Sequence, residues 1–129
     1  MNALNKVQII GNIVKAPVVK DMGKSQKVAN FSVATNRIWK DATGTKQEQV
    51  EFHNIVAWGK LAEIIEQYVL KWQKIYIEGR LQTRNWEDQP WVKRYITEII
   101  AENILMLSWR TEEQKTSKKE IDLFDNIPF

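Results

Sequence analysis

The stretch VEFHNIVAWGKLAEIIEQYV, residues 50–69, contains the change of period that decides the fold. Over Val50 to Trp58 the side chains alternate between two faces, which is typical of a β-strand. From Leu61 to Val69 the apolar residues instead recur at intervals of three and four, which predicts one amphipathic helix. The predicted apolar stripe of this helix consists of Leu61, Ile64, Ile65, Tyr68 and Val69.

Two strand patterns precede this segment. Val7–Val14 is a β-branched run, interrupted at Gly11 where we expect a bulge or a sharp bend. Ala29–Thr35 alternates between apolar and polar residues, as a half-buried strand does. Lys15–Lys27 contains a proline and a glycine and is predicted to be a turn or hairpin connection, and residues 40–46 form a polar loop.

Two strand patterns also follow the helix, at Ile75–Gln82 and Tyr95–Glu102, separated by a polar segment at residues 85–91. The order is therefore three strands, one helix and two strands. This is the plan of the OB-fold, a five-stranded Greek-key barrel that is all-β apart from one helix. A small α+β sandwich would show the same pattern, so periodicity alone leaves both folds open.

The aromatic content points to a nucleic-acid ligand. Six tryptophans occur in 129 residues, and several adjoin a cation, as in Trp39-Lys40 and Lys71-Trp72. A surface that stacks on flat rings and neutralises phosphates requires this combination. The net charge of +3 has the sign that a polyanion ligand favours.

Several kinds of site are disfavoured by composition. The chain has no cysteine, which removes disulfides, thiolate zinc sites and a cysteine nucleophile, and His53 is its one histidine. Its glutamates show no metal-ligand spacing. No apolar stretch approaches the roughly 18 residues of a membrane span, and the N-terminus does not resemble a secretory signal. We therefore expect an intracellular protein without a metal site or membrane association.

The periodic pattern stops after Leu107. We predict a domain at residues 1–107, a flexible polar linker at 108–120 and an acidic, hydrophobic tip at 121–129. A disordered tail that keeps its hydrophobic residues is typical of a peptide ligand for other proteins. The residues assigned to this partner-binding tip are Asp122, Asp125, Ile127, Pro128 and Phe129.

The chain resembles the bacterial single-stranded DNA-binding protein family over residues 5–107 and again at its last few residues. The resemblance lies in a set of short motifs that occur in the family's order. They are VANFSVAT at 28–35, EFH at 51–53, WGKLAE at 58–63, YIEG at 76–79, TRNW at 83–86 and DNIPF at 125–129.

This resemblance implies an OB-fold, usually assembled as a homotetramer, that binds single strands without sequence preference in DNA replication, recombination and repair. It implies a location in the bacterial cytoplasm, at the nucleoid, and replication and repair proteins as partners of the tip. It also implies a protein that is not an enzyme and needs no cofactor, and it places His53 near subunit contacts. The stacking aromatic residues fall on Trp39, Phe52, Trp58 and Trp86, and the phosphate-contacting cations on Lys6, Lys60, Lys71 and Arg84.

The chain also departs from the family pattern. It has Asn54, Gln82 and Asn85 where the family commonly has basic residues, and Arg80 is expected to compensate. Trp72 stands where a glycine is usual after the helix, so the turn there could be built differently. An RNA-binding or primosome-type module and a protein-interaction scaffold remain alternatives, and a metal-dependent nuclease is the weakest of them.

Overall fold

The structure is a computed structural model that describes residues 2–24 and 26–108. Within these ranges the chain forms strands and a single helix, in the predicted order of three strands, one helix and two strands. The elements are β1 (Val7–Asp21), β2 (Lys27–Lys40), β3 (Lys46–Trp58), α1 (Lys60–Tyr68), β4 (Lys74–Gln89) and β5 (Val92–Met106).

The strands form a closed barrel in the order β1-β2-β3-β5-β4, and β4 pairs back onto β1. Every pairing is antiparallel except that of β3 with β5, which joins Ile55 to Ile99 and Val56 to Ile100 in parallel. Because the sheet closes on itself, the predicted barrel is confirmed and the sandwich alternative is excluded.

The core is a set of β-branched and small side chains that point inward from each strand. Ile13, Ile55, Ile75 and Ile77 are almost completely buried, and Phe31 lies beside them. The residues between them along the strands face outward, since successive side chains of a strand point to opposite faces.

Helix α1 begins after Gly59, which adopts a positive φ of 65°. It covers one end of the barrel with Ala62 and Ile65, both fully buried. The predicted apolar stripe is wrong at Ile64 and Tyr68, which are 39% and 57% exposed. The buried face is rotated toward Ala62, a small residue that a stripe of large side chains does not reveal.

The first strand is longer than its sequence pattern indicates. β1 continues through residues 15–21, which were predicted to be a turn, and its pairing with β2 shifts register between Ile13 and Val18. The irregularity accommodates Pro17, which cannot donate a ladder hydrogen bond. The bulge predicted at Gly11 is absent from the β1–β4 pairing, where Gly11 lies opposite Ile75 in regular register.

Two hairpins extend well past the core. The β2–β3 hairpin pairs without interruption from Val28–Trp58 to Lys40–Lys46, and residues 41–45 close it as the predicted polar turn. The β4–β5 hairpin includes most of the segment predicted to separate its strands and closes at Pro90 and Trp91.

The turn after α1 keeps the conformation that a glycine would favour. Trp72 adopts a positive φ of 78°, and its backbone N–H donates to the Ile13 carbonyl at 2.7 Å. The replacement of the usual glycine by Trp72 therefore leaves this residue in the left-handed region.

No helix within residues 2–24 and 26–108 is long and apolar enough to cross a membrane. Residues 109–120 of the predicted linker and all of the predicted tip, with Asp122, Asp125, Ile127, Pro128 and Phe129, lie outside the described residues.

Candidate nucleic-acid interface

A groove runs across the outer surface of β2 and β3, between β1 on one side and the β4–β5 hairpin on the other. It consists of two adjoining concavities of about 410 and 310 Å³. Both concavities are lined by Lys20, Asn30, Arg84 and Glu98. We call this feature the barrel groove.

Two tryptophans flank the barrel groove: Trp58 lines it, and Trp86 lies beside it. Trp58 lines the smaller concavity and is 44% exposed. Trp86 is 45% exposed, two residues after Arg84 on β4, and the Arg84 guanidinium carbon lies 5.9 Å from the centroid of its ring. Half-exposed indoles next to a cation in a concavity can stack on a planar ligand.

Phe52 and Trp39 both lie on the β2–β3 hairpin, but on opposite faces of it. Phe52, 68% exposed, alternates in phase with Asn54 and Trp58, which line the groove. Trp39 is paired with Gln47, so these two side chains lie on the same face of the hairpin. Gln47 is an odd number of residues from Phe52 along β3, so that face is the one opposite Phe52. The structure therefore brings Phe52, Trp58 and Trp86 toward one surface and leaves Trp39, 37% exposed with Arg37 at 5.1 Å, on the other side.

Arg84 is held in the groove by a carboxylate that the sequence analysis did not identify. Its Nε donates to Glu98 Oε1 at 2.6 Å and its Nη2 donates to Oε2 at 3.3 Å. The Glu98 side chain is 6% exposed, whereas that of Arg84 is 56% exposed. The two-point contact fixes the plane of the guanidinium and leaves more than half of the side chain accessible to a ligand.

Lys15 and Lys20 are groove residues that the sequence analysis missed. Both are exposed and line the larger concavity, and Lys20 lines the smaller one as well. Their segment contains Pro17 and Gly23, so its sequence predicts a turn. Val18 and Lys20 are two residues apart and both line the groove, and this alternation is the sequence signal that the strand continues through the segment.

The other predicted phosphate contacts do not line either concavity. Lys6 pairs with Glu78 at 3.4 Å, and Arg80 lies 3.9 Å from Glu102. Lys60 is exposed at the first turn of α1. The remaining one, Lys71, places its Nζ 4.5 Å from the centroid of the Trp72 ring.

His53 is half-buried on the face of β3 opposite Phe52. Its Nε2 lies 2.9 Å from Thr35 Oγ1 on the paired strand, so it forms part of a cross-strand hydrogen bond. Within the described ranges, no group of three or more His, Asp or Glu side chains is arranged to hold a metal ion.

A second exposed surface, which we call the β1–β4–β5 face, lies on the outside of these three strands. Ile10 is paired with Tyr76, and Tyr76 with Leu105, in one row across the sheet. Ile10 and Leu105 are 53% and 59% exposed.

Glu78 borders the same face, and its pKa is lowered. The hydroxyl of Tyr76 donates to Glu78 Oε2 at 2.8 Å, and this hydrogen bond is the main cause of the lowered pKa. The nearby Lys6 lowers the pKa further. The polar border of the face is therefore an ordered, charged network.

A closed five-stranded barrel with this strand order, and with one helix between β3 and β4, is an OB-fold. Proteins of this class bind oligonucleotides and oligosaccharides across their strand 2–3 surface, next to the loops that join strands 1–2 and 4–5. The barrel groove occupies this surface.

Sequence comparison places the chain among known relatives. The model of the single-strand binding protein family matches residues 4–107. The chain is 45% identical to single-stranded DNA-binding protein 1 of Chlorobaculum tepidum, over 88% of this chain and 71% of that one. It is 42% identical to single-stranded DNA-binding protein 1 of Xylella fastidiosa, over 89% of this chain and 85% of that one. The chain belongs to the single-strand binding protein family.

Solved structures agree with this assignment. The Plasmodium falciparum SSB in complex with ssDNA superposes with a TM-score of 0.78 at 32% identity, covering 84% of this chain and 98% of that one. A deletion mutant of the single-stranded DNA binding protein from Thermus aquaticus gives a TM-score of 0.73 at 28% identity, covering 83% of this chain and 52% of that one.

Proposed function

We propose that this protein binds single-stranded DNA without sequence preference and takes part in replication, recombination and repair. The observation that carries the proposal is a set of exposed aromatic side chains around a cation-lined groove, in a chain of the single-strand binding protein family. The stacking side chains are Phe52, Trp58 and Trp86 on the groove side and Trp39 on the far side of the β2–β3 hairpin.

In the proposed mechanism, affinity for DNA comes from two interactions: aromatic side chains stack on the bases, and Lys and Arg side chains neutralise the phosphates. Each base offers a π-face, so stacking tolerates any sequence. Lys15, Lys20 and Arg84 neutralise phosphates in the groove itself. The other predicted cations continue the path outside the groove, and they are Lys6, Lys60, Lys71 and Arg80.

Because Trp39 and Phe52 face opposite ways, a strand that reaches both must pass around the β2–β3 hairpin. This supports wrapping of the strand around the protein. We propose that several barrels assemble, as a homotetramer, and that the β1–β4–β5 face is one contact between copies. The apolar row of Ile10, Tyr76 and Leu105 supports this, and His53 is proposed to lie near a second contact.

We further propose that the tip recruits replication and repair proteins in the bacterial cytoplasm. Its acidic and hydrophobic residues, which end in Pro128-Phe129, suit a pocket that is apolar at its centre and basic at its rim. Deleting residues 122–129 should abolish capture of such partners and leave poly(dT) binding intact. Unchanged partner binding would refute this part of the proposal.

Tryptophan fluorescence tests the central proposal. Poly(dT) should quench the emission strongly, duplex DNA should quench it weakly, and salt should weaken binding. Neutralising about seven phosphates, one for each proposed cation, predicts a slope of log K against log salt near −5. Absence of quenching and of binding at low salt would refute the proposal and favour the scaffold alternative.

A further inference from the structure

The tip of the β4–β5 hairpin presents a fully exposed indole. Trp91 is 99% exposed, more than any other of the large hydrophobic side chains that are exposed in the described ranges. Burial in its own barrel therefore does not explain why a tryptophan stands there.

The backbone at Trp91 does not favour a tryptophan either. Pro90 and Trp91 form the two-residue turn that closes the hairpin, and Trp91 adopts a positive φ of 78°. Proline followed by a residue with positive φ is the arrangement of a type II turn, whose second central position favours glycine. A tryptophan at this position strains the turn without gaining contacts within the barrel.

The surroundings of Trp91 suit a base with its phosphate. An open concavity of about 570 Å³ is lined by Pro90, Trp91, Lys93 and Glu87, so two ring-bearing side chains, one ammonium group and one carboxylate share this site. Arg94 pairs with Asp88 at 3.5 Å. The Lys93 side chain makes no hydrogen bond or ion pair within residues 2–24 and 26–108, although Lys93 lies opposite Glu87 in the β4–β5 pairing, so its ammonium group is not engaged by another side chain there.

We propose that Trp91 is an additional stacking platform for single-stranded DNA, with Lys93 as its phosphate contact. This inference rests on the proposed function and extends it. Trp86 lies on the same hairpin, and the three residues from Trp86 to Gln89 span about 10 Å of strand. Trp91 thus receives nucleotides that have already passed Trp86, so its contribution depends on the length of the bound strand.

The experiment compares Trp91→Gly and Trp91→Phe in the full chain. Trp91→Gly removes the ring and relieves the turn, so the melting temperature should stay the same or rise while poly(dT) affinity falls at least about fivefold. Trp91→Phe keeps a ring and should retain most of the affinity. Oligonucleotides of about four nucleotides, the low end for one OB-fold, should bind both variants like the parent protein.

Fluorine NMR locates the contact directly. In protein labelled with 5-fluorotryptophan, the Trp91 resonance is the one missing from Trp91→Phe, and it should shift when poly(dT) is added. Lys93→Gln should make the salt slope shallower by about 0.7, the loss of one phosphate contact on a single strand.

The outcomes separate this inference from the proposed function. Unchanged affinity for poly(dT) in Trp91→Gly, with Trp86→Ala impaired, would overturn the role of Trp91 and leave the function standing. Normal binding in both variants would count against the proposed stacking mechanism as well. A changed assembly mass in Trp91→Gly, with unchanged DNA affinity, would make Trp91 a protein contact and would also overturn the inference.

Discussion

At the scale of single residues, Trp86 is the sharpest test of the proposed stacking at the barrel groove. Trp86→Ala should weaken poly(dT) binding by about 5- to 150-fold, because stacking one base on an aromatic ring is worth about 1–3 kcal/mol. Tyr68→Ala is the matched control, since Tyr68 is exposed on α1 outside the groove. Fluorescence anisotropy of labelled dT oligonucleotides measures both variants. Equal affinity for Trp86→Ala and Tyr68→Ala would contradict the assignment.

Arg84 pairs with Glu98 and is also proposed to contact phosphate, and a single substitution would remove both interactions at once. Arg84→Ala should lower DNA affinity, and it should also destabilise the fold by about 1–3 kcal/mol, because it leaves the nearly buried Glu98 carboxylate unpaired. The double variant Arg84→Ala with Glu98→Gln removes that charge. It should recover most of the stability, measured by urea unfolding, while affinity stays low. Recovery of affinity along with stability would show that Arg84 acts only as a structural partner.

At the scale of elements, the inner halves of the strands were predictable and the outer halves were not. Near the core, alternation between buried and exposed side chains gives a period that can be identified in the sequence. From Leu81 to Val92, both faces of the β4–β5 hairpin are exposed, so no such period exists. The hydrogen bonds between its strands depend on backbone geometry, which the side-chain pattern does not record.

Gly79 controls the bend of β4, where the pairing with β5 shifts register between Glu78 and Gly79. A Cβ at Gly79 would overlap the Ile100 carbonyl oxygen, so the two backbones could not approach as they do. Gly79→Ala should destabilise the barrel by about 1–3 kcal/mol in urea unfolding. Gly44→Asn is the control, because a Cβ there meets nothing within 4 Å and asparagine tolerates its positive φ. Equal losses would contradict this explanation.

The turn of the β2–β3 hairpin should respond to pH through Asp41. Its carboxylate accepts hydrogen bonds from the Thr43 hydroxyl at 2.6 Å and the Thr45 backbone N–H at 2.9 Å, and these lower the pKa of Asp41. Because the pKa of Asp41 is lowered in the folded state, its ionised form stabilises the fold. This stabilisation is fully present at pH values above the pKa of Asp41 in the unfolded chain, about 3.9. That stabilisation is lost as the pH falls through the lower, folded value.

The measurement compares the melting temperature of the parent protein with that of Asp41→Ala across pH. The parent should be more stable at neutral pH, and the difference should shrink below about pH 4. Glu87→Ala, on the other hairpin, serves as a control for the general loss of a surface acid, because the exposed Glu87 side chain makes no hydrogen bond or ion pair within the described residues. A difference that persists unchanged in acid would show that the ionised form of Asp41 is not what stabilises the turn.

For the whole molecule, the sequence predicted which types of residue form the candidate site better than it predicted which of them share one surface. The aromatic positions came from the resemblance, and the structure collects Phe52, Trp58 and Trp86 toward one surface. It places Trp39 on the opposite face, because a cross-strand register cannot be deduced from motifs. It also puts Lys20 in the groove and Lys6 outside it. Closure of the barrel, which is a property of all five strands together, decides which cations share a surface.

The proposed assembly of several copies of the chain can be tested by a substitution at Leu105. Leu105 is 59% exposed, so Leu105→Glu should leave one barrel folded, yet it would bury an unpaired charge if the β1–β4–β5 face is a contact between copies. Light scattering after gel filtration should show a smaller particle for Leu105→Glu, whereas Ile38→Glu on the β2–β3 hairpin, at a residue that is 56% exposed, should keep the parent mass. Poly(dT) affinity should fall with the mass, because linked barrels that bind one strand raise each other's effective concentration. An unchanged mass for Leu105→Glu would exclude this face as the contact, and affinity that persists in the smaller particle would show that one barrel suffices to hold the strand.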